Sequence, residues 1–230
     1  MPPEPIRPRP SKAAMAAARE ADRGTMLSRR SVSRETVDRL DAFVALLVRW
    51  QASINLVSPS TLAQPWTRHV EDGLALYALR PGPQRWADLG SGAGLPGIVL
   101  AIQLAESGGA IDLVESNGKK AAFLRTAVRE LELPAVVHSS RIEDAPQVLQ
   151  AADIVTARAL ASLPQLLDWV GPHLRDEALC LFPKGRDHQR EIDAASAHWG
   201  YDMVKHDPKT EAGSVILEMS ALHRLDVASA

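Results

Sequence analysis

Three glycines stand at alternate positions in Asp88-Leu89-Gly90-Ser91-Gly92-Ala93-Gly94, after a short apolar stretch and before the apolar run Leu95 to Leu100. Glycine tolerates positive φ and lets a ligand approach the backbone where a Cβ would collide. The spacing Gly90-x-Gly92-x-Gly94 differs from the Gly-x-Gly-x-x-Gly phosphate cradle of dinucleotide enzymes, and Asp88 precedes the first glycine by two residues. A carboxylate there repels a pyrophosphate and suits a ligand with positive charge or ribose hydroxyls. S-adenosylmethionine, a sulfonium with an amino acid tail, meets both demands. A glycine turn alone can be purely structural, but about 25 residues on a second apolar stretch, Ala110 to Val114, runs into Glu115. Open α/β sheets hold a ribose with an acid at that place; the alternative for Glu115 is an N-terminal helix acid favoured by the dipole.

A second set of polar residues precedes the first strand. Arg68, His69 and Asp72 are spaced three and four apart, on one helical face, and a helix ahead of that strand covers its carboxyl end; a capping or core histidine is the structural alternative. Arg158 ends the fourth strand at the edge where open α/β sheets take ligands, able to hold a carboxylate or phosphate bidentately or to form a structural salt bridge. Lys184 follows the fifth strand and faces either RNA or solvent. Lys119 and Lys120 open a helix at its dipole-unfavourable end, as ligand contacts or as a solvated face.

The elements that must position these groups alternate. Apolar runs near 85–89, 110–115, 135–139, 153–157, 178–183, 201–206 and 214–220 read as strands, and periodic segments near 96–106, 117–131, 144–151, 162–174 and 187–198 as helices. Such alternation builds parallel βαβ units. The last two strands are joined by residues 207–213 without a helix, so they pair antiparallel. Ahead of the sheet, Val37, Leu40, Phe43, Val44, Leu47 and Val48 mark a helix from Ser33 to about Gln51, and a second covers Pro65 to Leu79. The expectation is an α/β fold with a mostly parallel seven-stranded sheet, a C-terminal antiparallel hairpin and an N-terminal helical cap. Residues 1–31, which begin Met1-Pro2-Pro3-Glu4-Pro5, read as a disordered basic Pro/Arg-rich extension, and residues 32–230 as a single domain with the cap at 32–80 and the sheet core at 84–222.

Composition narrows the class. A chain of 230 residues can bury about 70% of its unfolded surface in one domain. The net charge of −2 hides an asymmetry: residues 1–34 hold eight Lys/Arg against three acids, leaving 18 against 25 over the rest. The body is therefore no general polyanion binder, and any RNA contact must come from a local patch or from the basic N-terminal arm. The single Cys180 excludes an internal disulfide and suits a reducing compartment. The seven histidines are scattered and no metal spacing occurs. No run is long enough to span a bilayer, no signal peptide core is present, and a cytoplasmic location is expected.

Several strings occur together at characteristic distances: Asn55-Leu56-Val57-Ser58, Trp66-Thr67-Arg68-His69-Val70-Glu71-Asp72, Asp88 to Gly97, Glu115-Ser116, Lys119 to Leu124, Ser140-Arg141-Ile142-Glu143, Thr156-Ala157-Arg158-Ala159 and Pro183-Lys184-Gly185. Jointly, over roughly 33–220, they resemble the small-subunit 16S rRNA methyltransferase G family, also called glucose-inhibited division protein B. The resemblance implies a class I S-adenosylmethionine-dependent methyltransferase fold, with S-adenosylmethionine as cofactor. It implies methylation of guanine N7 in the 530 loop of 16S rRNA, within the small subunit or an assembly intermediate, by a monomer. It places Asp88, Gly90, Gly92, Gly94, Leu95, Glu115, Ile142, Glu143 and Arg158 around the cofactor, with Ile142 against the adenine face and Glu143 at its edge, and offers Arg68, His69, Asp72 and Lys184 for substrate positioning. For Ile142 the alternative is ordinary core, and for Glu143 a helix N-terminal acid. Leu95 stands where many members carry Phe, and Gly73 where many carry Ser; both differences should alter packing more than chemistry. N7 carries a lone pair and no proton, so the missing acid/base pair agrees with that reaction. Rival functions are a methyltransferase for protein or small molecules, a non-catalytic RNA-binding assembly factor, and a nicotinamide dehydrogenase.

Overall fold

The computed structural model describes residues 11–225. Seven strands form one sheet in the order β3-β2-β1-β4-β5-β7-β6. β1 (Arg85–Leu89), β2 (Ala110–Val114), β3 (Ala135–His138), β4 (Ile154–Ala157) and β5 (Leu179–Lys184) run parallel. β7 (Val215–Arg224) pairs antiparallel with both β5 and β6 (Trp199–His206). Chain order reverses between β1 and β4, so the carboxyl ends of those two strands flank a switch point, where open sheets form their ligand crevice.

Period-two alternation in the central strands feeds two core layers. On one face Trp86 of β1 packs with Phe43, Leu47, Leu100 and Phe123, under α2 (Arg34–Gln51), α3 (Glu71–Leu79), α4 (Gly97–Ser107) and α5 (Gly118–Glu130). On the other, Ala87 and Leu89 of β1 meet Val155, Leu167 and Phe182, under α6 (Pro146–Ala151), α7 (Leu163–Val170) and α8 (His188–Ser196). Cys180 is fully buried in that second layer, and burial pushes its thiol up. Gly73 has a packing reason, because a Cβ there would lie 2.7 Å from Val99 on α4. No described helix is long and apolar enough to cross a membrane.

Two segments depart from expectation. The extension expected to be disordered through residue 31 contains α1 (Lys12–Arg29), an 18-residue helix capped by Ser11. The prolines end at Pro10, and the alanine-rich stretch that follows has high helix propensity; Met26 is fully buried in the core layer that α2 and α3 cover. Residues 1–10 of the expected extension lie outside the described residues. The helix expected over Pro65–Leu79 opens as a π-helical turn, Trp66–Val70, before continuing as α3. Such wide turns recur at functional sites, and this one carries Arg68 and His69.

Candidate active site

Two adjoining subsites meet at Arg158. The first is the turn after β1, where Gly90, Gly92 and Gly94 take φ of +66°, +55° and +74°. Ser91 N–H donates to the Val114 carbonyl at 3.0 Å, tying the turn to β2. Glu115 is buried, and its two carboxylate oxygens accept backbone N–H groups of Gly92 at 2.8 Å and Asn117 at 2.7 Å. It therefore clamps the glycine turn to the start of α5, and each oxygen keeps a lone pair for a hydroxyl. A Cβ on Gly92 would find only the Gly90 carbonyl, at 3.6 Å, so the turn presents bare backbone to open space. Asn117 caps α5 by accepting from Lys119 and Lys120 N–H; Lys119 is exposed at the surface and Lys120 half-buried.

Asp88 lies beneath this turn, fully enclosed, and neither carboxylate oxygen has a hydrogen-bond partner. The Ser91 hydroxyl is committed instead to the Asp88 backbone carbonyl, at 2.8 Å. Burial pushes the Asp88 carboxyl up to about 7. The same string also holds Gly92-x-Gly94-x-x-Gly97, the dinucleotide spacing. Gly97 has another purpose here, since its Cβ would sit 2.4 Å from Asp88 Oδ2. The buried acid, not the glycine count, is what disfavours a pyrophosphate. These features fit S-adenosylmethionine: bare backbone at Gly92, a clamped acid at the ribose position, and an uncompensated carboxylate whose field favours a cationic ligand. Because Asp88 is enclosed, it can reach such a ligand only through that field and not by contact. Affinity for the cationic cofactor is accordingly expected to rise several-fold as pH increases through about 7, and to lose this slope in Asp88→Asn. Calorimetric titration across pH 6 to 8.5 checks it, and parallel slopes in both proteins would refute it.

The second subsite is a cavity of about 310 Å³ walled by the π-helical turn and α3, the segment after β4, the end of β5, and the loop joining β6 to β7. Arg158 separates it from the glycine turn. Its Nε donates to the Leu95 carbonyl at 3.1 Å, and one terminal nitrogen donates to Asp72 Oδ2 at 3.1 Å and His69 Nδ1 at 3.2 Å. With Nδ1 accepting, His69 Nε2–H donates to Thr61 Oγ1 at 3.0 Å. Burial, then the Arg158 and Arg68 charges, lower the imidazole to about 4, so it is neutral at physiological pH. Burial raises the Asp72 carboxyl, while the Thr210 hydroxyl and Arg158 pull it back. Arg68 reaches across the mouth to Glu211, at 3.2 Å.

Lys184 lines the cavity but is neither solvated nor free: buried, it donates to Glu191 Oε2 at 2.7 Å and to the Ala161 carbonyl at 3.0 Å. Glu191 also accepts from Leu163 N–H at 2.7 Å, so the pair fixes the start of α7. Ile142 belongs to the second core layer. Glu143 is exposed and precedes the first residue of α6, Pro146, by three positions, outside that helix's first turn. The cavity thus gathers Arg68, Arg158 and Lys184 with Asp72, Glu191 and Glu211. Glu191, Glu211, Thr61 and Thr210 carry no local signal that marks them for the site. Thr61 comes from the short turn Pro59–Thr61, eight residues before His69; the other three enter only because the β6–β7 loop and α8 fold against the end of β5.

Known proteins agree with this architecture. The chain is 55% identical over 195 residues to a protein of Brucella ovis named ribosomal RNA small subunit methyltransferase G, covering 84% of this chain and 92% of that relative. A namesake from Brucella suis biovar 1 matches to the same extent. An O-methyltransferase from Bacillus cereus, solved with S-adenosylhomocysteine, superposes with a TM-score of 0.57 at 15% identity, covering 90% of this chain and 99% of that one; this likeness concerns the fold alone. The family model described as rRNA small subunit methyltransferase G matches residues 36–214. With the glycine turn, the clamped Glu115 and the Arg158 junction all inside those limits, the chain belongs to the rRNA small subunit methyltransferase G (GidB) family.

Proposed function

We propose that the protein transfers the methyl group of S-adenosylmethionine to N7 of a guanine in the 530 loop of 16S rRNA. The bound cofactor supplies the electrophilic methyl; the chain supplies placement and a dry, charge-matched surround. The observation that carries this reading is the Arg158 junction, one guanidinium hydrogen-bonded both to the glycine turn and to the cavity wall. It sets a cofactor held on the turn and a base held in the cavity at a fixed mutual distance, and alignment alone can provide effective molarities of about 10⁵–10⁸ M.

The charges of the cavity support a base over a phosphate. Three cationic side chains face three carboxylates and a neutral imidazole, a balance of formal charge that gives no excess of cations for an anion. N7 needs no proton removed, and the cavity offers no free base: both nitrogens of His69 are engaged, and Asp72 is paired. Methylation leaves the purine ring cationic, and the Asp72 carboxylate is placed to favour that charge as it develops. Guanine N7 is out of reach in the deep groove of an RNA helix, so the base must be splayed into the cavity at a cost of a few kcal/mol. Folded ribosomal RNA can offset that, which favours the small subunit or an assembly intermediate as substrate for a cytoplasmic, monomeric enzyme. Ile142 and Glu143 are proposed for the adenine end, Ile142 through the edge of its packed side chain.

Transfer of radiolabelled methyl to small subunits that lack the modification, followed by borohydride–aniline cleavage, tests this directly. One cut in the 530 loop is expected. Cofactor binding without labelled RNA would move the substrate to another class.

A further inference from the structure

The π-helical turn that bears Arg68 and His69 has no cap of its own. Pro65 stands at its N-cap and makes no side-chain hydrogen bond there, yet the first N–H groups of a helical segment need acceptors when they are buried. The acceptor comes from more than forty residues upstream. Asp22 of α1 is buried, and its Oδ2 accepts Trp66 N–H at 2.8 Å. Its carboxylate also takes Thr67 N–H, at 3.3 and 3.4 Å to its two oxygens, and the Thr67 hydroxyl. A carboxylate at a helical N-terminus also meets the positive end of the dipole. One turn further along α1, Met26 is fully buried. Arg30, just beyond the helix, donates through Nε to buried Glu71 at 3.3 Å and through a terminal nitrogen to the Pro208 carbonyl at 2.9 Å. Glu71 adjoins Asp72, and Pro208 lies in the opposite, β6–β7 wall of the cavity. The helix therefore grips both walls from outside, and it precedes residues 36–214 that match the family model.

We infer that Asp22 is a positioning residue for methyl transfer, setting the turn that delivers His69 and Asp72 to Arg158. Without it the turn loses its acceptor, and His69 slides away from the Arg158 and Thr61 partners that hold it. The cofactor turn, built on Glu115 and β2, has no contact with Asp22 and keeps its shape. The inference rests on the cavity being the base site.

The test compares Asp22→Ala, Asp22→Asn and Arg23→Met in the full chain, well below their melting temperatures. Arg23 serves as the control: it ties α1 to Asp41 of α2 by two bonds of 2.7 Å and lies over the Trp66 ring at 5.8 Å, a contact that the methionine thioether keeps, but it bonds no backbone group of the turn. In Asp22→Ala, methyl transfer to small subunits is expected to fall on the order of tenfold or more, as remote misplacements do, with cofactor affinity within about twofold. The His69 titration, followed by NMR of labelled histidine and assigned with His69→Asn, is expected to move up from about 4 as the ring escapes burial and the Arg158 charge, which outweigh the loss of the Asp72 carboxylate nearby. Asp22→Asn retains one acceptor oxygen and is expected to recover part of both signals; Arg23→Met is expected to change neither. An unmoved His69 in Asp22→Ala, or losses matched by Arg23→Met, would overturn the inference at Asp22 itself. A moved His69 with undiminished transfer would overturn it through its premise, the cavity as base site.

Discussion

Replacing Arg158 with methionine is expected to lower methyl transfer by about 10²–10³-fold, the range seen when one preorganised donor is removed from a reacting site. Three hydrogen bonds disappear together, to the Leu95 carbonyl, His69 and Asp72. The glycine turn and the cavity wall then lose their common member. The loss should fall on kcat more than on KM, because the geometry serves alignment and not the general affinity for RNA. Arg158→Lys should rescue little: one ammonium cannot span the two sides as the planar guanidinium does. Asp72 in the variant loses a cation that holds its carboxyl down, so its folded pKa rises further above the unfolded value. The folded state then holds that proton to higher pH, and stability falls as pH rises through the raised value. Melting curves at pH 5 and 8 read this sign, while single-turnover transfer reads the rate. A full rate with a lowered melting temperature would mark Arg158 as a structural salt bridge only.

The second large effect belongs to Gly92. Its φ of +55° and the open space beyond its missing Cβ separate two consequences that coincide at most glycines. Gly92→Ala should cost about 1–2 kcal/mol of stability, the penalty for an L-residue in the left-handed region, or roughly 2–8 °C in a chain of this size. Its methyl would also occupy the place where a ligand meets the turn, reducing cofactor affinity by at least about tenfold, and Gly92→Val should abolish binding. Gly118→Ala, at a position with nothing within 4 Å and no positive φ, supplies the comparison and should leave both properties near wild type. Undiminished cofactor binding by Gly92→Val would remove the turn from the site.

Legibility in the sequence followed the range of the interaction concerned. β1 and β2 lie where their apolar runs placed them, and the β6–β7 hairpin pairs antiparallel as its helix-free connection required. These patterns are local: alternation over five residues and a connection too short for a crossover are complete within the segment. α1 is masked in the sequence by the ten proline-rich residues that precede it, and its one fully buried apolar side chain, Met26, is too little to give a helical period. Lys184, by its place after a strand, is expected to face RNA or water; its buried ion pair with Glu191 depends on α8 returning over the end of β5. Leu95 mattered through its carbonyl, which Arg158 takes up, and side-chain identity says nothing about that.

The sequence by itself determined the alternation of strands and helices, the glycine turn with an acid two residues before it, and the presence of Glu115 and Arg158 at strand ends. Each of these follows from periodicity and backbone sterics within a few residues. Only the tertiary structure decided that Arg158 bonds to both subsites, that Glu115 clamps Gly92, and that Asp22 caps a turn more than forty residues away. The physical reason is that nearly all buried donors and acceptors are paired, Asp88 being an exception. Their partners are chosen by which segments the closing core brings within three ångströms, and no spacing along the chain records that choice.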